Sequence, residues 1–81
     1  MSNQIANIAI VVKDFSKIAE VNALLHQYSD NIISRSGMPY KERNVRLINV
    51  VIDTNKANAE DLNNKLNALS GINSQMMSFD L

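Results

Sequence analysis

The chain has 81 residues, with one histidine, no cysteine, and eight acidic residues balanced by eight basic ones. Its chemical possibilities are therefore few. His26 stands alone, and one histidine does not build a structural metal site within one chain. The absence of cysteine removes zinc fingers, iron–sulfur clusters, thiol catalysis and disulfides. Serines and aspartates are present, but none sits in an elbow or at a spacing that suggests nucleophilic catalysis. Gly37 and Gly71 are the only glycines, so there is no glycine-rich phosphate loop. The residues predict no catalytic centre, metal or cofactor.

One segment is not explained by packing: Arg35-Ser36-Gly37-Met38-Pro39-Tyr40-Lys41-Glu42-Arg43. It holds one of the two glycines, the only proline, one of the two tyrosines and three of the eight basic residues. One reading is a solvated hairpin with a proline-stiffened turn. The other is a ligand pocket or subunit contact built from Arg35, Tyr40 and Arg43, since arginine and tyrosine often carry binding energy at interfaces. Gly37 and Pro39 belong to the same candidate segment.

These residues need elements to position them. Ile5 to Lys13 reads as a strand, with Ala6, Ile8, Ile10 and Val12 on one face and Ile5, Asn7, Ala9, Val11 and Lys13 on the other. Asp14 or Ser16 can cap a following helix, whose stripe is Ile18, Val21, Leu24, Leu25 and Tyr28. Ser29-Asp30-Asn31 is a turn. Asn31 to Met38 reads as a weaker strand interrupted by Gly37, and Pro39 places it at an edge or ends it. Lys41 to Asn44 is a polar loop, and Asn44 tolerates the left-handed conformation. Val45 to Asp53 is the clearest strand. Asn55 to Asn58 is a loop with cap candidates, Asn58 standing three before Asp61 in a capping-box-like spacing, and a second helix follows with the seam Ala59, Leu62, Leu66 and Leu69. Gly71 is placed as its closing glycine, and Asn73 to Phe79 as a last strand.

The order β–α–β–β–α–β in one domain spanning residues 1–81 predicts an α+β, ferredoxin-like fold. A four-stranded antiparallel sheet would carry two helices on one face. The other face would expose Ile5, Ala9, Val11, Leu47 and Val51 around Asn7 and Asn49. That is an apolar patch of several hundred Å², roughly the level that marks an interaction surface. So small a chain also has a thin core, and association would enlarge it. A homo-oligomer meeting on this face is expected.

Net charge is zero, and the central strands carry no aromatics, so neither a basic surface nor a stacking platform for nucleic acid is expected. No run reaches the roughly 20 apolar residues of a membrane span. Met1–Ala6 has neither a basic region nor a long apolar run, so a cytoplasmic location is the default expectation.

Several stretches carry a family likeness. Ile33-Ser34-Arg35-Ser36-Gly37-Met38-Pro39-Tyr40-Lys41-Glu42-Arg43-Asn44-Val45, then Ile48-Asn49-Val50-Val51-Ile52-Asp53, resembles the signature of the iron-only hydrogenase system regulators. These are small ACT-like proteins related in fold to the C-terminal domain of nickel-responsive repressors. Ile8–Val12, Val21–Tyr28 and Leu66–Ile72 are similar as well. The resemblance implies an ACT-like fold, oligomers formed through sheets or edges, and a regulatory role, with a hydrogenase-system protein as a possible partner. It brings no defined ligand. The histidines and cysteine that hold nickel in the repressors are missing, so nickel binding does not carry over, and neither does a DNA-binding segment. ACT domains that bind amino acids do so near the loop after the first strand, here Lys13-Asp14-Phe15-Ser16, which makes Asp14 a further candidate. The expectation is a non-catalytic regulatory module. A structural or assembly protein without a ligand, or a small dimeric ferredoxin-like enzyme, is the alternative.

Overall fold

A computed structural model describes residues 4–80. Met1–Asn3, part of the N-terminal stretch in which no secretion signal is expected, and Leu81, the last residue of the expected domain, lie outside the described residues.

Strand β1 (Gln4–Val12) alternates as its sequence requires, with Ala6, Ile8, Ile10 and Val12 buried. A short 3-10 turn, Phe15–Lys17, leads into helix α1 (Ile18–His26), and Asp14 caps the turn by accepting from the Ser16 amide at 3.0 Å. Nine residues are too few for an isolated helix in water, so α1 depends on packing. Val21 and Leu25 are buried in the core, with Ile18, Leu24 and Tyr28 against it.

Strand β2 (Ile32–Tyr40) runs past Met38, where the sequence predicted its end. Pro39 is accommodated because β2 is an edge strand, where a missing donor leaves no ladder bond unmade. Gly37 does not interrupt it, and an added Cβ there would meet only ordinary contacts at 3.6 and 3.7 Å. After a 3-10 turn, Lys41–Arg43, Asn44 takes φ 52° and ψ 46°, the left-handed conformation its side chain allows. Strand β3 (Val45–Thr54) follows.

Helix α2 (Lys56–Asn67) starts at the first of the cap candidates, ahead of the capping-box spacing at Asn58. Asn55 is its N-cap and accepts from the Asn58 amide at 2.8 Å, so Asn58 lies inside the first turn. The start is set by where β3 ends. Gly71 is not the residue closing α2 either, because the helix ends at Ala68. Its φ of +74° belongs to the turn into strand β4 (Ile72–Asp80).

The sheet is fully antiparallel in the order β2-β3-β1-β4, with the two most apolar strands in the centre. The fold is α+β and ferredoxin-like. Both helices lie on one face, where Ile8, Ile10, Val50, Ile52, Leu25, Leu62 and Leu66 form the core. Each such side chain contributes roughly 1.5–3 kcal/mol when fully buried. No helix among the described residues is long and apolar enough to cross a membrane.

Two polar clasps fix the helices. The Asn67 amide accepts from the Ser74 N–H at 2.8 Å and donates to its carbonyl at 2.9 Å. Tyr28 on α1 donates its hydroxyl to Asp61 of α2 at 3.1 Å, and Lys65 pairs with the same carboxylate oxygen at 3.0 Å. Lys65 foremost, then Tyr28, holds the Asp61 carboxyl below its ordinary value. Burial, then Asp61, raises the Tyr28 phenol.

Candidate functional site

Strand alternation divides the candidate segment in two. Register places Arg35 opposite Val50, Gly37 opposite Ile48 and Pro39 opposite Arg46, on the helix side. Ser34, Ser36, Met38 and Tyr40 lie opposite Val51, Asn49, Leu47 and Val45, on the helix-free side. Arg35 and Tyr40 therefore do not share a pocket. The Arg35 guanidinium donates to the Asn22 side-chain oxygen on α1. It lines an open groove of about 630 Å³ between α1 and β2, together with Asn22, His26 and Ile32.

Tyr40 and Arg43 do come together. With Val11, Lys13, Asn44, Val45 and Leu47 they line a groove of about 580 Å³ at one corner of the helix-free face. The end of β1 supplies Val11, with Lys13 just past the strand, and the end of β2 supplies Tyr40. The start of β3 supplies Val45 and Leu47, and the turn closed by the left-handed Asn44 supplies Arg43. Lys13 is held in place by Asn73 of β4. With its amide turned to present oxygen, Asn73 accepts from the Lys13 ammonium at 3.0 Å and donates to the Ile72 carbonyl at 3.1 Å. Among the described residues neither Lys13 nor Arg43 pairs with a carboxylate.

Asp14 lies outside this groove. Its carboxylate accepts from the Ser16 hydroxyl at 2.6 Å and the Ser16 amide at 3.0 Å, and these bonds, the hydroxyl first, lower its pKa. Both bonds fall on Oδ1, so this oxygen of Asp14 serves the turn after β1.

The helix-free face holds the expected Ile5, Ala9, Val11, Leu47 and Val51, and it extends further. Val45 and Met38 continue it on one side, and Met77 and Phe79 on the other, opposite Asn7 and Ile5. Met38, Met77 and Phe79 are 56%, 60% and 51% exposed. The expected patch, built from the central strands alone, leaves out Met77 and Phe79, although alternation puts one of Met76 and Met77 on each face of the last strand. The alternation of β4, counted inward from the buried Ile72 and Ser74, was the signal that could have found them.

The structural comparison covers this whole surface. The uncharacterized protein TM1266 from Thermotoga maritima is similar over 98% of this chain and 100% of its own, at 29% identity and a TM-score of 0.91. The TM1266-like family, whose description is iron-only hydrogenase system regulator, matches residues 4–76. The chain belongs to that family. Among curated proteins none matches. For this TM1266-like chain the matched region takes in all of β1 to β3, both helices and most of β4, and so every residue lining the Tyr40–Arg43 groove.

Proposed function

We propose that the chain is a non-catalytic regulatory module that works in the cytoplasm as a homo-oligomer. Two copies meet on the helix-free sheet face, and a small molecule or a hydrogenase-system partner protein is received at the Tyr40–Arg43 corner. The observation carrying this reading is the extent of the apolar face. It runs across all four strands from Met38 to Phe79, with no element among the described residues over it. A face of this kind is a working surface more often than a solvated one. The regulator family to which the chain belongs supports the role.

Sedimentation equilibrium tests the assembly. Wild type at micromolar concentration should sediment as two chains or more, and Val51→Lys, at the centre of the face, as one. A wild-type mass of one chain would overturn the reading. A ligand screen beside it separates a sensor from a purely structural protein, because only the sensor changes its unfolding temperature.

A further inference from the structure

The geometry points to a ligand class for the corner groove: small monocarboxylates with an apolar aliphatic or aromatic body. This rests on the reading of that corner as a ligand site and names what it takes. The groove, at about 580 Å³, is within the range of small-molecule sites. Its floor is apolar, from Val11, Val45 and Leu47, and calls for a hydrocarbon body. Val11 and Leu47 also belong to the face proposed for the second copy, so the ligand would sit at the margin of that contact. Its charged groups are Lys13 and Arg43, so one end of the ligand must be anionic.

The lining suits a carboxylate on an apolar body better than inorganic phosphate. The guanidinium fork of Arg43 can hold an oxyanion such as a planar carboxylate in two parallel hydrogen bonds. Lys13 is held by the neutral Asn73 amide, so its position is fixed while its charge is left uncompensated. The groove wall beside them is hydrocarbon, which a bare, strongly hydrated phosphate would gain nothing by covering.

The same lining disfavours amino acids. No aspartate or glutamate faces the groove. An α-ammonium entering beside the carboxylate would meet two cations and no acid. The Tyr40 hydroxyl and the Asn44 amide can instead hydrogen-bond a neutral oxygen next to the carboxylate, as a 2-oxo or 2-hydroxy acid carries.

Amide-detected NMR titration of the full chain with 3-phenylpropionate is the test, with phenylalanine, 3-phenylpropan-1-ol and inorganic phosphate in parallel. The acid should shift the Lys13, Asn44 and Leu47 resonances. It should bind about tenfold or more tightly than the alcohol or the amino acid, the scale of one hydrogen bond to a charged group. Arg43→Gln and Lys13→Gln, both at exposed positions, should keep the folded spectrum and weaken binding about tenfold each. Shifts elsewhere, no response at millimolar acid, equal binding of the alcohol, or displacement by equal phosphate would overturn the assignment. Mass measured on the same samples keeps the two ideas apart. A two-chain mass without a carboxylate response sinks the ligand alone, and binding to a one-chain species sinks the assembly alone.

Discussion

Gly71 sits so close to Asp14 that a Cβ built on it would lie 2.5 Å from the Asp14 Cβ and 3.2 Å from its backbone nitrogen. The Gly71 carbonyl also accepts from the Lys13 amide at 2.8 Å and the Asp14 amide at 3.3 Å. The start of β4 is thus fastened to the end of β1 at a point where only a missing side chain allows contact. Since Lys13 is part of that junction, the junction also fixes one wall of the groove.

The two glycines should therefore respond in opposite ways. Gly71→Ala adds a left-handed penalty to a backbone clash and should cost about 2–4 kcal/mol in urea unfolding. Gly71→Asn relieves φ but not the clash, and should recover little of that loss. Gly37→Ala meets only ordinary van der Waals contacts and ordinary φ, so it should be neutral or stabilise by about 0.4–1 kcal/mol. Equal effects at both positions would contradict the contacts described.

Asn44 is the left-handed residue of the β2–β3 turn. Asn44→Gly should leave stability within about 0.5 kcal/mol, and Asn44→Ala should cost about 1 kcal/mol. The same alanine variant should loosen the Arg43 rim, which a comparison of backbone amide exchange at Arg43 and Val45 would show.

In the interhelical clasp, Asp61 is held below its ordinary value of 3.8, so ionised Asp61 stabilises the fold. That contribution is present above about pH 3.8 and is lost as pH falls through the lower folded value. Asp61→Asn should therefore unfold at a lower temperature than wild type near pH 6, with the gap closing near pH 2. The Tyr28 phenol is raised above 10.0, so its contribution is present below about pH 10 and is lost as pH rises through the folded value. Tyr28→Phe should flatten that alkaline loss. Thermal melts across the pH range check both ends.

Leu66 is completely buried in the seam of α2. Leu66→Ala should cost about 2–5 kcal/mol, a large share of the stability of any small domain. A loss under about 1 kcal/mol would mean the core can collapse around the cavity.

The sheet and both helix stripes were legible because period-2 and period-3.6 patterns are local, as at Ile8 and Ile10 or at Leu62 and Leu66. Local rules also misled. Asn55 and Asn58 are equally good caps by type, and only the end of β3 at Thr54 decides between them. Gly71 follows a helix as a closing glycine would, yet its role comes from Asp14, 57 positions away in sequence (71 − 14). In the candidate segment, alternation alone separates Arg35, Gly37 and Pro39 from Tyr40. The meeting of Tyr40 and Arg43 with Val11 and Lys13 depends on the β1–β3 register, which no single segment encodes.

The Asn67–Ser74 clasp has a consequence for how this chain can grow into larger objects. An edge strand turns the N–H and C=O of alternate residues outward, offering them to the next ribbon. At Ser74 the Asn67 side chain already occupies both. On the opposite edge, Pro39 has no N–H to give. Lateral strand addition, which has no natural stopping point, is obstructed at both margins. Contact across the flat of the sheet, by contrast, is closed once a second copy is in place. The polar stitch and the lone proline thus act as terminators, favouring a finite particle over a fibre.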